Sequence, residues 1–155
     1  MGRFSILIYS SIFFLFNSCC GIPLISPRKF YTTEYGSNRP KKNNFKLNID
    51  LKDNYNLSGV YLSKNKDVYY RFFKNSRVLI SGINPNLKIE KQYNNIQKGR
   101  VGLYKIEGNS LLLEYFSVGS HDCGKYHIYD HKIVTDSIIG FKKVKIKNLK
   151  GVPNW

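Results

Sequence analysis

Catalytic signatures are missing from this sequence. It has no glycine-rich phosphate loop, no dinucleotide fingerprint and no zinc-ribbon spacing. Acidic residues are few, 10 against 25 basic ones, and they are scattered, so no carboxylate pair stands out for acid–base work. No window carries a convincing helical stripe of apolar residues, which argues against a helix-built fold. The N-terminal apolar run, Phe4 to Phe16, is too short to cross a bilayer as a helix, having thirteen residues where about 20 are needed. The chain is therefore read as a non-enzyme without a cofactor.

What is present begins at the N-terminus. Met1 to Arg3 supplies a single positive charge, and the uncharged run FSILIYSSIFFLF follows. This is the layout of a secretory signal peptide. At its end stands Phe16-Asn17-Ser18-Cys19-Cys20-Gly21, which resembles a bacterial lipobox in having a small residue directly before a cysteine. The resemblance implies cleavage before Cys19 and acylation of that residue. Asn17 and Phe16 depart from the usual pattern and leave Cys20 as the alternative lipidation site. Stable anchoring takes more than one acyl chain, each buried methylene adding about 0.8 kcal/mol. The implied location is a bacterial cell envelope, the outer membrane favoured, with the domain outside the cytoplasm.

The chain has three cysteines. With Cys19 lipidated, Cys20 and Cys123 are free to pair in an oxidising compartment. The expectation is that they stay unbridged, because a bond from Cys20 would tie the domain tightly to its anchor.

Residues 19–45 read as a lipid-anchored flexible tether, with Pro23, Pro27 and Pro40 and a polar stretch around Asn38-Arg39-Pro40-Lys41-Lys42-Asn43-Asn44. Lys29-Phe30-Tyr31-Thr32-Thr33 is the one run in it with strand character. Its basic residues, Arg28, Lys29, Arg39, Lys41 and Lys42, are placed to meet anionic headgroups at about 1 kcal/mol per charge near the surface.

From about Leu47 the pattern is that of strands, in short Val/Ile/Tyr/Phe runs punctuated by Gly, Asn and Asp. The expected strands are Leu57 to Ser63, Val68 to Lys74, Arg77 to Ile83, Val101 to Glu107, Ser110 to Phe116, Lys125 to Tyr129, Lys132 to Ile138 and Gly140 to Lys147. So many short strands in one domain call for a closed or nearly closed sheet, since open edges invite aggregation. Gly108-Asn109 suits a tight hairpin, and Asp130-His131 is expected to play the same part. Gly102-Leu103-Tyr104-Lys105-Ile106 also repeats as Gly124-Lys125-Tyr126-His127-Ile128, at an offset of 22 residues. The repeat predicts Tyr104, Ile106, Tyr126 and Ile128 inside, with Lys105 and His127 solvated.

Leu57-Ser58-Gly59-Val60-Tyr61 looks like the Gly-x-Trp/Tyr opening of lipocalin-like domains, and the Gly-x-Tyr-x-Ile units look like strands of small bacterial lipocalin-like lipoproteins. The resemblance spans about Leu47 to Lys147, with Tyr61 where Trp is usual. It implies an all-β, up-and-down antiparallel barrel of about eight strands, with an interior that either holds a small apolar molecule or is filled by side chains.

One cluster could carry chemistry: His121-Asp122-Cys123, then His127, Asp130 and His131. These are zinc-ligand types, and Cys123 with a histidine could be drawn as a nucleophile and base. Only His121 and Cys123 have close same-face spacing, and no orienting group or oxyanion motif accompanies them. No metal or catalytic residue is assigned.

The formal charge is +15, and loss of residues 1–18 removes only Arg3 and leaves +14. Such a field attracts anionic lipid, acidic polysaccharide or nucleic acid. Tyr69-Tyr70-Arg71-Phe72-Phe73-Lys74 interleaves aromatics with basic residues, but an exported protein is not expected to have nucleic acid as its partner. Enrichment in Lys, Asn, Ile and Tyr also fits AT-rich codon usage. At the C-terminus, Phe141 to Lys147 alternates lysines as an exposed or edge strand would, and Trp155 either plugs the barrel end or hangs free.

The organisation read from the sequence is a signal peptide (1–18), a tether (19–45), a β-barrel domain (46–148) and a C-terminal tail (149–155). Two functions fit. One is a membrane-anchored module that binds a small apolar ligand or an envelope component. The other is a structural envelope lipoprotein whose filled barrel contacts anionic lipid or glycan through its basic surface.

Overall fold

The computed structural model describes residues 28–49, 57–119, 122–134 and 137–155. The expected signal peptide and both candidate lipidation sites, Cys19 and Cys20, lie outside them. A short hairpin, β1 (Phe30–Thr32) and β2 (Asn38–Pro40), precedes the main sheet. Then follow β3 (Gly59–Ser63), β4 (Val68–Phe72), β5 (Arg77–Gly82), the helix α1 (Ile89–Asn94), β6 (Arg100–Glu107), β7 (Ser110–Ser117), β8 (Lys125–Val134), β9 (Ser137–Ile138) and β10 (Phe141–Val144).

The eight strands from β3 onward form one antiparallel meander in the order β10-β3-β4-β5-β6-β7-β8-β9. Its two outermost strands lie side by side, so the sheet is nearly closed into an up-and-down barrel. Alternation along each strand sends one set of side chains inward. Tyr61, Phe72, Val78, Tyr104, Leu111, Leu113 and Ile133 form this core. Its rings meet edge to face, Tyr61 with Phe72 at 5.4 Å and Phe72 with Tyr104 at 5.0 Å. Each buried large side chain contributes about 1.5–3 kcal/mol. The Tyr104 hydroxyl donates to the carbonyls of Leu57 and Phe73, at 2.8 and 3.2 Å, so the polar end of a buried ring is satisfied.

A second core lies outside the barrel wall, where Val60 and Tyr69 pack against Tyr93 of α1 and against Val144, Ile146 and Leu149. With only six residues, α1 shows no helical stripe in the sequence, and tertiary contacts hold it. Gln92 is the clamp: its amide donates to the carbonyls of Asn84 and Leu87, and its oxygen accepts from the Asn84 N–H. The C-terminal segment neither plugs the barrel nor hangs free. Arg71 donates to the carbonyls of Tyr93, Lys150 and Gly151, Arg77 donates to that of Pro153, and Trp155 sits against Phe73 and Arg39.

Three expectations need correction. The described part of the supposed tether is a docked hairpin. Arg39 is buried and donates to the carbonyls of Gly99 and Ile96, and Thr33 donates to Gln97. Secondly, Asp130-His131 is not a turn: β8 runs straight through it, with Asp130 opposite Leu112 and His131 opposite Leu111, whereas Gly108 does adopt the positive φ expected of its turn.

The third concerns the faces of the repeat. The pairing places Tyr104 opposite Leu113, and Leu113 opposite Tyr129, so the structural offset between β6 and β8 is 25 residues. An odd offset reverses the parity that 22 implied. Tyr126 therefore points outward onto Phe116 and Phe45, Ile128 is 58% exposed, and His127 shares the inner face with Tyr115.

Candidate functional site at the barrel mouth

Meander topology gathers alternate turns at one end, here called the mouth. The β3–β4 turn, the end of β5, the start of β6 and the β7–β8 loop all meet there. Val68, Ile80, Arg100 and Ser117 from these elements line an open cleft of about 430 Å³, and Gly36 and Ser37 of the N-terminal hairpin complete it. The hairpin is fixed in place, because the Gly99 N–H donates to the Ser37 hydroxyl at 2.8 Å.

Beneath this mouth an aromatic and basic cluster spans the inner face. The Arg100 guanidinium lies over the Tyr115 ring at 5.5 Å, and Tyr115 stacks on Tyr129 at 5.4 Å and on His127 at 5.5 Å. Burial and the neighbouring Tyr129 hydroxyl push the Tyr115 phenol up to about 12, so it stays protonated. On the far side, the Tyr70 hydroxyl meets His131 Nε2 at 3.1 Å and its ring stacks on Phe141 at 4.4 Å. Burial holds the His131 imidazole below its usual pKa, against the pull of Asp130, and so favours its neutral form. Because Tyr70 of β4 reaches His131 of β8, rings bridge the interior from wall to wall.

Charge at the mouth is mostly of one sign. Exposed Lys64 and Lys66 occupy the β3–β4 turn, Lys98 and Arg100 flank the cleft, and Lys125 opens β8. The acids at this end serve as loop braces. The Asp67 carboxylate accepts from the Ser63 hydroxyl at 2.5 Å, and that of Asp122 accepts from the N–H groups of Gly119 and Gly124 at 2.9 and 3.0 Å. These bonds hold both carboxyls below the usual range: for Asp67 the Ser63 hydroxyl leads, for Asp122 the two backbone donors.

The sequence cluster of metal-ligand types does not assemble here. His121 lies outside the described residues, Asp122 braces its loop, and His127 stacks on Tyr115. Asp130 faces outward, accepting from Ser110, while His131 faces inward to Tyr70. Among the described residues no group of three or more metal-ligand side chains converges.

Cys123 is disulfide-bonded, contrary to the expectation of a free thiol, and its partner lies outside the described residues. The physical reason is the docked hairpin. It places the Gly36 and Ser37 turn at the same end of the barrel as the β7–β8 loop that carries Cys123, as the shared cleft of Gly36, Ser37 and Val118 records.

The segment after the hairpin also runs along the wall instead of trailing free. Glu114, fully buried, accepts from the N–H groups of Lys46 and Leu47 at 2.6 to 2.9 Å. Tyr126 donates to the Lys42 carbonyl and accepts from the Asn44 N–H. A second open groove, of about 1110 Å³, lies beside α1, where Tyr35, Leu87 and Ile89 are half exposed. Neither it nor the Arg100 cluster was legible in the sequence, because the residues involved come together only through pairing. Among the described residues no helix is long and apolar enough to cross a membrane. No protein-family model, curated protein or solved structure matches this chain, so its barrel is described by its own geometry.

Proposed function

We propose that this protein is an exported lipoprotein, anchored through acylated Cys19 in a bacterial envelope membrane, whose barrel is a non-enzymatic binding module. Its mouth takes an anionic group of an envelope component. The observation that carries this reading is the contrast between a ring-filled interior and a cleft of about 430 Å³ bordered by Lys98 and Arg100. A carrier for an apolar molecule needs an empty lumen. An exposed guanidinium over an aromatic ring suits a carboxylate, phosphate or sulfate, which arginine holds through paired donors. A second reading keeps a small apolar ligand and moves it to the groove beside α1, on the strength of exposed Tyr35, Leu87 and Ile89.

The test titrates purified protein with a uronic-acid oligosaccharide and with short-chain phosphatidylglycerol, each against its neutral counterpart. A fluorescent fatty acid serves as the apolar probe. The expected result is salt-sensitive binding of an anionic probe, lost in Arg100→Ala, with no response to the fatty acid. Stoichiometric fatty-acid binding that survives Arg100→Ala and fails in Leu87→Asp selects the groove. Mass spectrometry of the membrane fraction tests the anchor, through an acylated N-terminus at Cys19 that Cys19→Ala abolishes.

A further inference from the structure

We infer that the mouth-side part of β8 is a self-pairing edge, through which two copies of this chain join their sheets antiparallel about a two-fold axis at Ile128. From Lys125 to His131 this strand has a neighbour on the β7 side alone among the described residues, because β9 pairs with Ile133 and Val134 and goes no further. An open edge of this kind is a template for another strand.

Its free groups can be named. The Ile133 N–H donates to the Asn109 carbonyl on the β7 side, whereas the Lys132 carbonyl accepts from the Ile139 N–H on the other. Alternation therefore turns the N–H and C=O groups of Tyr126, Ile128 and Asp130 toward the open edge. Among the described residues nothing bonds to them there. The run is bounded at both ends, since the Gly124 N–H is held by Asp122 at 3.0 Å and the Lys132 carbonyl by Ile139 at 3.0 Å. What remains is symmetric about Ile128.

That symmetry selects a second copy as the occupant. In an antiparallel pair of identical strands, the register that sets Ile128 opposite Ile128 also sets Tyr126 opposite Asp130 and Asp130 opposite Tyr126. Each free donor then meets a free acceptor. A slip of two residues in either direction forces Gly124 or Lys132, whose groups are already engaged, into the ladder. No like charges come opposite each other in the first register, because Lys125 faces His131, whose neutral form burial favours, and Lys132 faces Gly124.

Side chains agree with the backbone. Ile128 is 58% and Tyr129 51% exposed, at the centre of the open edge. On pairing, Ile128 meets its counterpart on the outer face, and on the inner face Tyr129 lies opposite His127 of the second copy, at the close spacing of a pair with no hydrogen bonds between its members. Since His127 and Tyr129 already stack on Tyr115, the aromatic clusters of the two barrels become one. With the mouth read as above, two Arg100 clefts on one sheet suit a repeating anionic polymer, whose second contact gains effective concentration from the first.

The full chain, purified in detergent, is followed by sedimentation equilibrium over about 2 to 200 µM, in about 0.15 M salt to screen the like net charge of two copies. A monomer–dimer equilibrium is expected, with amide exchange at Tyr126, Ile128 and Asp130 slowed about tenfold or more at the high end. The amides of His127 and Tyr129, which point to β7, should show no such dependence. Ile128→Pro removes a free donor and leaves the β7 ladder whole, and Ile128→Lys sets two like charges opposite each other. Each is expected to stay monomeric across the range, and Ile128→Lys decides alone where the proline variant fails to fold. Ile139→Lys, at an exposed apolar residue off this edge, should leave association intact. A wild type that is monomeric throughout, or a dimer that survives both Ile128 variants, overturns the inference.

Discussion

Replacing Arg71 by leucine tests how the outer layers are held to the barrel. Its guanidinium, buried on β4, donates to the Tyr93 carbonyl at 2.7 Å, to Lys150 at 2.6 Å and to Gly151 at 3.2 Å, and it lies over the Phe73 ring at 4.6 Å. Among the described residues no carboxylate faces it, and burial lowers its pKa. Hydrogen bonds to a charged group contribute about 1.5–3 kcal/mol each. Burial of an ion costs several kcal/mol, which offsets much of that sum. In the variant the Lys150 and Gly151 carbonyls can turn to water, but Tyr93 is fully buried and its carbonyl is left without that donor, at about 1–3 kcal/mol. With the tail packing also weakened, the net loss is about 3 kcal/mol. The assay is direct, because Trp155 at the end of that tail is the only tryptophan. Its emission should be blue-shifted in the wild type and red-shifted in Arg71→Leu before any denaturant is added, with the urea midpoint lowered by about 1–2 M. Unchanged emission together with a midpoint shift under about 0.3 M would refute the claim that this one side chain ties α1 and the tail to the sheet.

Other predictions follow the same logic. Because burial depresses the His131 pKa, the unfolded chain binds the proton more readily. The stability His131 contributes is complete above about pH 6.5 and is lost as the pH falls toward its folded value. Urea midpoints at pH 7.5 and 5.5 should therefore differ more in the wild type than in His131→Phe. Glu114→Gln weakens the bonds to Lys46 and Leu47 and should raise amide exchange at those residues about tenfold or more, with about 2 kcal/mol lost in equilibrium unfolding. Gly102→Ala should cost about 3 kcal/mol by thermal denaturation, since a Cβ there runs into the Glu114 carbonyl and meets Tyr115 Cβ at 3.0 Å. Tyr104→Phe should cost about 1 kcal/mol, as its hydroxyl serves two buried carbonyls.

The strands most legible in the sequence were those bounded by turn chemistry. Gly108 and Asn109 closed the β6–β7 hairpin as expected, and Val68, Arg77 and Ser110 begin strands where alternation placed them. Failures occurred where a longer-range fact decided. The strand-like residues of 125–134 continue through Asp130-His131 because eight pairs to β7 outweigh a weak local turn preference. The hairpin at 30–40 was read as tether because its stability comes from the burial of Arg39 and Pro40 against elements about 60 residues away. The site was less legible than the fold. Arg100, Tyr115, Tyr129, His131 and Tyr70 are spread over four strands and more than 60 positions of sequence, and nothing local links them.

By itself, then, the sequence determined what depends on near neighbours: β-strands from period-two alternation, tight turns from glycine and asparagine, an all-β meander from their succession, and a strongly basic surface from composition. Tertiary structure alone decided which face of β8 looks inward, that rings fill the barrel, and that Cys123 is bonded. The physical reason is parity. One added residue in a loop leaves every local preference intact yet turns a whole strand over, so the side chains that meet across the barrel are chosen by register.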